Sequence, residues 1–135
     1  MRPVLVDTSV LLDIATADPT WGEWSRNAVA DVLDRAIAVI NVVVYAELAA
    51  GMDEVETLDA ALPRDLYRRE PIPFAAAFLA GQARREYLGR GGSRRTPLPD
   101  FFIGAHAAVA GYRLLTRDPS RIRLSFPRLD VISPG

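Results

Sequence analysis

The feature that constrains this chain most is the stretch from residue 97 to residue 118, in which two acids enclose an apolar run. Asp100 follows a proline directly, and small and apolar residues continue to Gly111. Proline is tolerated in the first turn of a helix, an acid there suits the helix dipole, and glycine often follows a helix. The pattern therefore predicts a buried helix that begins at Asp100 and stops at Gly111. A short strand over residues 113–116 follows, with Asp118 at its carboxyl end.

Two more acids follow apolar segments. Asp7 comes directly after a predicted strand over residues 3–6, and Glu47 lies shortly after the apolar run 36–40. Ligands of open α/β sheets bind at the carboxyl ends of the strands. If these strands are parallel neighbours, we expect the two acids to meet the two described above at one edge of the sheet. Carboxylates that are forced together need a cation, and a site made only of oxygen atoms suits Mg²⁺ or Mn²⁺.

The rest of the chain alternates strand and helix patterns. Residues 36–44 are compatible with one long strand, but we favour a strand to residue 40, with Asn41 capping a helix over residues 42–50. The other predicted helices cover residues 9–15, 21–36, 53–62 and 74–88. The other predicted strands lie within residues 66–72, at a sheet edge, and 129–132. We expect Phe78 to pack inside and residues 119–128 to be irregular. Alternating strands and helices imply a mostly parallel sheet with helices on both faces, in a single domain over residues 1–135.

Composition excludes several kinds of site. The 135 residues include no Cys and one His, His106, which excludes a thiolate zinc site, a cysteine nucleophile and a multi-histidine metal centre. The net charge of −1 excludes a chain that is basic throughout, although every basic residue is Arg, the residue suited to bidentate phosphate contacts. There is no 18-residue apolar run and no signal peptide pattern, so we expect a cytoplasmic protein that contacts no membrane.

Each acid also has an ordinary structural explanation. Asp7 could cap a helix, Glu47 could be a solvated helix residue, Asp100 could be a first-turn acid, and Asp118 could belong to a turn. Their shared position favours function, since each lies beside an apolar segment, where an unpaired charge is costly. For His106, in the middle of a predicted helix, packing is favoured over catalysis.

Four motifs in order carry a family resemblance. They read V-L-V-D-T-S-V-L-L-D, N-V-V-V-Y-A-E-L, L-P-D-F-F-I-G-A-H-A and L-L-T-R-D. They resemble the acidic motifs of PIN-domain ribonucleases, and most closely those of the VapC toxins of type II toxin–antitoxin pairs. The resemblance covers essentially the whole chain. It implies a three-layer α/β/α sandwich with a mostly parallel central sheet.

The resemblance also implies a function and its residues. It implies a Mg²⁺- or Mn²⁺-dependent endoribonuclease with RNA as substrate, a cognate antitoxin as partner and a homodimeric assembly. The residues that match the family's acidic quartet, which hold the metal and act in catalysis, are Asp7, Glu47, Asp100 and Asp118. Thr116 matches the family's hydroxyl position near the last acid, and Thr8 or Ser9, in the first motif, is expected to support the site.

Two further features are assigned from their position along the chain. Arginines beside the acidic motifs are candidates to grip RNA phosphates: Arg94, Arg95, Arg117, Arg121 and Arg123. Trp21 and Trp24 are candidates to contact a helix of the antitoxin.

Two other functions stay open. One is a metal-dependent phosphohydrolase on a similar sheet, although the D-x-D pattern of the haloacid-dehalogenase type is absent after Asp7. The other is a non-catalytic domain that binds a partner. Metal-dependent cleavage of structured RNA by the purified chain separates these functions from a ribonuclease.

Overall fold

The computed structural model describes all residues from Met1 to Gly135, and a parallel five-stranded sheet forms its centre. The strand order is β3-β2-β1-β4-β5, and every neighbouring pair is parallel. The strands are β1 (Val4–Val6), β2 (Ala38–Asn41), β3 (Tyr67–Glu70), β4 (Arg113–Leu115) and β5 (Val131–Ile132). The helices are α1 (Thr8–Ala15), α2 (Gly22–Arg35), α3 (Val42–Ala49), α4 (Val55–Ala61), α5 (Phe74–Gly89), α6 (Pro99–Ala110) and α7 (Ser120–Ser125).

Helices cover both faces of the sheet. Successive side chains of a strand point to opposite faces, and every residue of β1 and β2 is buried. Leu5, Ile40 and Leu114 are no more than 1% exposed, and truncating one of them to alanine costs about 2–5 kcal/mol. The α/β class with a layered, parallel sheet is therefore confirmed.

The ends of the elements follow local sequence signals. The side chain of Asn41 accepts hydrogen bonds from the amides of Val43 and Val44, both at 3.0 Å, so it caps α3 as predicted. Gly111 ends α6 with a φ of 73°, a left-handed conformation that glycine adopts at little cost. The alternative of one long strand over residues 36–44 is therefore excluded, and β3 lies at the sheet edge as expected.

Two predictions about local structure are wrong. Residues 119–128 are not wholly irregular, because Ser120–Ser125 forms α7. Phe78 does not pack inside: it is 70% exposed, while the buried face of α5 is lined by alanines, Ala76, Ala80 and Ala83. These alanines allow α5 to lie close to α6, and Phe101 and Phe126 complete a second, smaller core there. No helix combines the length and apolar character needed to cross a lipid bilayer.

Candidate metal and phosphodiester site

The four predicted acids line one cleft at the carboxyl edge of the sheet. The cleft has a volume of about 270 Å³ and opens between the ends of β1 and β4 and the helices α3, α6 and α7. Its lining includes Asp7, Glu47, Asp100 and Asp118, each from a different segment of the chain. The strands are parallel, so their carboxyl ends share one edge, and this topology assembles acids that lie up to 111 residues apart (118 − 7).

Asp7 is fixed by two hydroxyl groups. Its Oδ2 accepts hydrogen bonds from Thr116 Oγ1 at 2.7 Å and from Ser9 Oγ at 2.8 Å. Thr116 is fully buried, and its Oγ1 also accepts from the backbone amide of Asp118 at 3.1 Å. One hydroxyl therefore joins the first acid to the last, across the adjacent strands β1 and β4.

Glu47 is fixed by the other hydroxyl of the first motif. Thr8 Oγ1 donates to Glu47 Oε1 at 2.7 Å, linking the start of α1 to the second turn of α3. Thr8 and Ser9 thus support different acids. Sequence reasoning named this pair as support, but it gave no means of assigning each hydroxyl to its carboxylate.

Burial and like charge act together on two of the acids. Burial raises the pKa of Asp7 above its ordinary range, and the negative charge of Asp100 raises it further, against the hydrogen bonds from Thr116 and Ser9. The pKa of Glu47 is raised chiefly by partial burial and also by the charges of Asp7 and Asp100, against the bond from Thr8. Both shifts therefore arise chiefly from burial, and the charges of neighbouring carboxylates add to each of them.

One cationic side chain bonds to the quartet. Arg121 Nη1 donates to Asp100 Oδ2 at 2.7 Å, across the mouth of the cleft. With the side chains in these positions, no three carboxylates are close enough together to hold an ion. The expected quartet is therefore gathered around one cleft without converging on a point. The donors that these acids offer are all oxygen atoms, the kind of ligand that hard cations such as Mg²⁺ and Mn²⁺ take.

Sequence reasoning did not identify Asp13 as part of this region. It is 3% exposed, and its carboxylate accepts from Ser25 Oγ at 2.9 Å and from Arg117 Nε at 2.9 Å. The available signal was a charged residue in the otherwise apolar run V-L-L-D-I-A of α1. A buried charge needs a partner. The sequence could not show that the partner is an arginine of the cleft.

The remaining candidates are engaged elsewhere or lie away from the acids. Trp24 packs against the main core, and the ring of Trp21 lies 6.0 Å from the guanidinium of Arg117. Neither Arg94 nor Arg95 lines the cleft. His106, in α6, is 1% exposed and does not line the cleft. Its burial agrees with the interpretation that it packs in the core and takes no part in catalysis.

Comparison with known proteins gives a family and a fold. The family model described as PIN domain matches residues 4–127. No protein with a curated function matches the sequence. Among solved structures, VapBC2 of Rickettsia felis bound to a promoter DNA fragment superposes with a TM-score of 0.74 at 18% identity, covering 97% of this chain and 98% of that one.

Two other solved structures are similar over most of their length. VapBC-1 of nontypeable Haemophilus influenzae gives a TM-score of 0.73 at 16% identity and 97% coverage of both chains. Mycobacterium tuberculosis VapC20, described as a toxin that cleaves the sarcin–ricin loop, gives 0.62 at 19% identity, covering 87% of this chain and 92% of that one. At these identities the superpositions establish the fold.

Proposed function

The chain belongs to the PIN-domain family, and from this premise we propose that it is a metal-dependent endoribonuclease and the toxin of a type II toxin–antitoxin pair. The observation that carries the proposal is the cleft at the carboxyl edge of the sheet. Four acids line it, and the pKa values of Asp7 and Glu47 are raised by burial and by neighbouring carboxylates. A site of this kind is stabilised by a divalent cation.

The proposed ligands are the four acids of the quartet, and the cation is Mg²⁺ or Mn²⁺. When bound, the ion lowers the pKa of a coordinated water and stabilises the charge that develops on the phosphate. The chain's own residues provide orientation. Thr116 and Ser9 hold Asp7, Thr8 holds Glu47, and the bond from the Asp118 amide to Thr116 keeps the last acid beside the first. Hydrolysis by water needs no side-chain nucleophile, which agrees with the absence of Cys.

The protonation of the acids in the cleft couples metal binding to pH. Raised pKa values make Asp7 and Glu47 the acids most easily protonated in the absence of metal. Metal binding therefore releases protons and weakens as the pH falls. In the loaded cleft, a carboxylate that is not fully engaged can take the proton of the attacking water.

Metal-dependent cleavage of RNA tests the enzymatic part of the proposal. The purified chain is incubated with a folded ribosomal or transfer RNA, with Mn²⁺, with Mg²⁺, and with a chelator. We expect new RNA ends only with metal, and none from Asp100→Asn. Equal activity of Asp100→Asn and wild type would remove the quartet from the mechanism. Hydrolysis of a small phosphoester with no cleavage of RNA would favour the phosphohydrolase alternative.

The partner part of the proposal rests on the mouth of the acidic cleft. Leu12 lines the cleft beside the acids, and it is 40% exposed although it is a large apolar side chain. We propose that an antitoxin helix lies over the cleft, with an apolar contact to Leu12 and an arginine reaching the carboxylates. We also propose a homodimer, supported by the exposed apolar residues of α5, where Phe74 is 94% exposed and Phe78 is 70% exposed.

Co-expression with the small neighbouring gene tests the partner. We expect a stable complex in which RNA cleavage is suppressed and partly restored by excess Mg²⁺. A chain that is harmless when expressed, remains a monomer, and binds no neighbouring product would contradict the toxin assignment. In that case the nuclease assignment would be judged by the cleavage assay above.

A further inference from the structure

Arg117 lines the acidic cleft, and its side chain is held by contacts within the protein. We propose that it binds a backbone phosphate of the RNA substrate beside the acidic quartet. This assignment rests on the proposed ribonuclease function. It makes Arg117 a substrate-binding residue, distinct from the acids that hold the metal.

The guanidinium of Arg117 is clamped by a buried acid. Its Nε donates to Asp13 Oδ2 at 2.9 Å and its Nη2 donates to Asp13 Oδ1 at 3.2 Å, so the pair is bidentate. Asp13 is 3% exposed, and Ser25, fully buried, donates a further hydrogen bond to it. The clamp therefore fixes one edge of the guanidinium from within the protein.

An aromatic ring adds to this fixation. The guanidinium carbon of Arg117 lies 6.0 Å from the centre of the Trp21 ring, within the range of a cation–π contact. A free arginine side chain loses about 2 kcal/mol of rotamer entropy when it is immobilised. The contacts with Asp13 and Trp21 order the side chain when the protein folds. Most of the entropy loss therefore precedes phosphate binding.

The second edge of the Arg117 guanidinium is unpaired, and the residue lines the cleft. A guanidinium has five N–H donors, and the edge formed by Nη1 and the second hydrogen of Nη2 makes no hydrogen bond within the chain. The side chain is 33% exposed and lines the cleft together with the acids. Two parallel N–H groups on one edge match the oxygens of a phosphate.

The backbone of Arg117 is tied to the acids themselves. Its amide donates to Ser9 Oγ at 3.3 Å, and the same hydroxyl donates to Asp7 at 2.8 Å. Its neighbours in sequence are Thr116, which holds Asp7, and Asp118. The backbone of Arg117 is therefore held beside the site where hydrolysis is proposed.

The other candidate arginines are excluded by their contacts or positions. Arg121 is bound to Asp100 at 2.7 Å, so its charge is directed to the quartet. Arg123 donates to Ser133 at 3.2 Å and does not line the cleft. Arg94 and Arg95 do not line it either. Among the five arginines named from the sequence, Arg117 alone combines a bidentate buried anchor, an unpaired guanidinium edge and a place in the lining of the cleft.

Salt dependence of RNA binding separates this assignment from a purely structural one. The probe is a fluorescein-labelled stem–loop RNA, measured by anisotropy at several KCl concentrations with Ca²⁺ in place of Mg²⁺, and its integrity is checked on a gel. Each phosphate neutralised contributes about 0.7–0.9 to the slope of log K against log salt. We expect Arg117→Gln to lower the slope by about that amount and to weaken binding about tenfold at low salt. Arg35→Gln, which breaks a surface pair with Asp31 on α2, should leave both unchanged.

Two variants isolate the clamp. Asp13→Asn keeps the charge of Arg117 and releases its anchor, so the slope should stay at the wild-type value while affinity falls several-fold. Arg117→Lys should behave likewise, because one ammonium cannot hold Asp13 and a phosphate at the same time. Arg117→Lys carries the test if Arg117→Gln fails to fold. Thermal melting of each variant reports the structural effect separately.

The outcomes that overturn the assignment are distinct from those that overturn the enzyme. If the wild type cleaves RNA with metal but Arg117→Gln retains the wild-type slope and affinity, Arg117 has only a structural role. Wild-type affinity in Arg117→Lys, if that variant carries the test, leads to the same conclusion. If the wild type neither binds nor cleaves RNA, the ribonuclease proposal fails, and this inference fails with it.

Discussion

Two polar clusters lie along the carboxyl edge of the same sheet, and they handle charge in opposite ways. At the end of β3, Glu70 accepts hydrogen bonds from Arg68 Nε at 2.7 Å and from the Tyr112 hydroxyl at 2.8 Å. At the end of β1, Asp7 accepts from the hydroxyls of Ser9 and Thr116 and from the backbone of Thr8, has no cationic partner, and faces other acids. The chain neutralises the first cluster itself and leaves the second with excess negative charge.

A buried histidine belongs to the first cluster. The Asn41 carbonyl oxygen is used by the α3 cap, so its amide nitrogen faces His106 Nδ1 at 3.1 Å. In this arrangement Nδ1 accepts, which assigns the proton of the neutral ring to Nε2, 3.5 Å from Glu70 Oε1. Burial lowers the pKa of His106, against the charge of Glu70. This cluster is therefore neutral inside and charged only at its rim, as expected of groups that serve the fold.

The largest expected effect is on catalysis. Asp7→Asn removes a charge from the cleft but keeps an oxygen that can accept from Thr116 and Ser9, so the fold should survive. We expect RNA cleavage to fall at least about 100-fold, since loss of metal-assisted stabilisation is worth several kcal/mol. Initial cleavage rates at saturating Mn²⁺ measure this.

The matched control lies in the other cluster. Glu70→Gln should keep cleavage within a few-fold of wild type, because the amide oxygen can still accept from Tyr112 and no metal ligand is lost. If Glu70→Gln and Asp7→Asn reduced cleavage equally, the distinction between the clusters would be wrong.

The second effect is on stability. His106→Ala leaves a cavity in a fully packed position and removes the partner of the Asn41 amide. We expect a loss of about 2–4 kcal/mol in the free energy of unfolding, which urea denaturation measures. Val109→Ala, on the exposed face of the same helix, should cost about 0.5 kcal/mol or less. A cost at His106 as small as that at Val109 would contradict a structural role for this cluster.

The third effect is an opposite response of the two clusters to pH. The raised pKa values of Asp7 and Glu47 mean that the unfolded state ionises first, so these groups lower the stability of the metal-free protein as pH rises past their ordinary range near 4. The lowered pKa of His106 means that the unfolded state takes up a proton first, so stability is lost as pH falls below about 6.5.

Metal-free thermal melts from about pH 4 to about pH 8 separate these contributions. Asp7→Asn should reduce the loss of stability that accompanies rising pH, and His106→Gln should reduce the loss that accompanies falling pH. If either variant shows the wild-type pH profile throughout, its residue does not contribute to the pH dependence of stability.

The smallest expected effect concerns Arg121, the one cationic side chain that bonds to an acid of the quartet. Arg121 binds Asp100, and a metal must displace it or share that carboxylate. The pair is partly exposed, so its coupling is about 0.2–1 kcal/mol. Arg121→Gln should therefore bind Mn²⁺ up to about fivefold more tightly. Weaker binding in this variant would indicate that Arg121 supports the metal site instead of competing with it.

The sequence predicted those parts of the site that depend on strand order alone. Asp7 and Asp118 could be placed because each follows a strand, and parallel strands share an edge. Asn41 could be placed because capping depends on local chemistry, and the alternation of elements was enough for the α/β fold. Glu47 and Asp100 could be placed near the same edge because each lies in a predicted helix that follows an apolar segment or a proline, and the family's motifs matched both.

Pairings across the fold could not be predicted in this way. Asp13 meets Arg117 across 104 residues, and Glu70 meets Tyr112 across 42. These contacts depend on side-chain directions that no periodicity encodes. Phe78 was misplaced for a related reason, because alanines on α5 made the close contact with α6 and turned the phenylalanine outward.

Calorimetric titration with Mn²⁺ tests the difference between the clusters most directly. We compare the wild type, Asp7→Asn and Glu70→Gln at neutral pH, and repeat the wild type at about pH 5, within the range in which shifted carboxyls take up protons. The account predicts binding by the wild type, weaker binding at the lower pH, no binding by Asp7→Asn, and wild-type affinity for Glu70→Gln. Two results would contradict the claim that the acidic cleft binds an external cation. One is a wild-type chain that binds no Mn²⁺, and the other is an equal loss of Mn²⁺ binding in Asp7→Asn and Glu70→Gln.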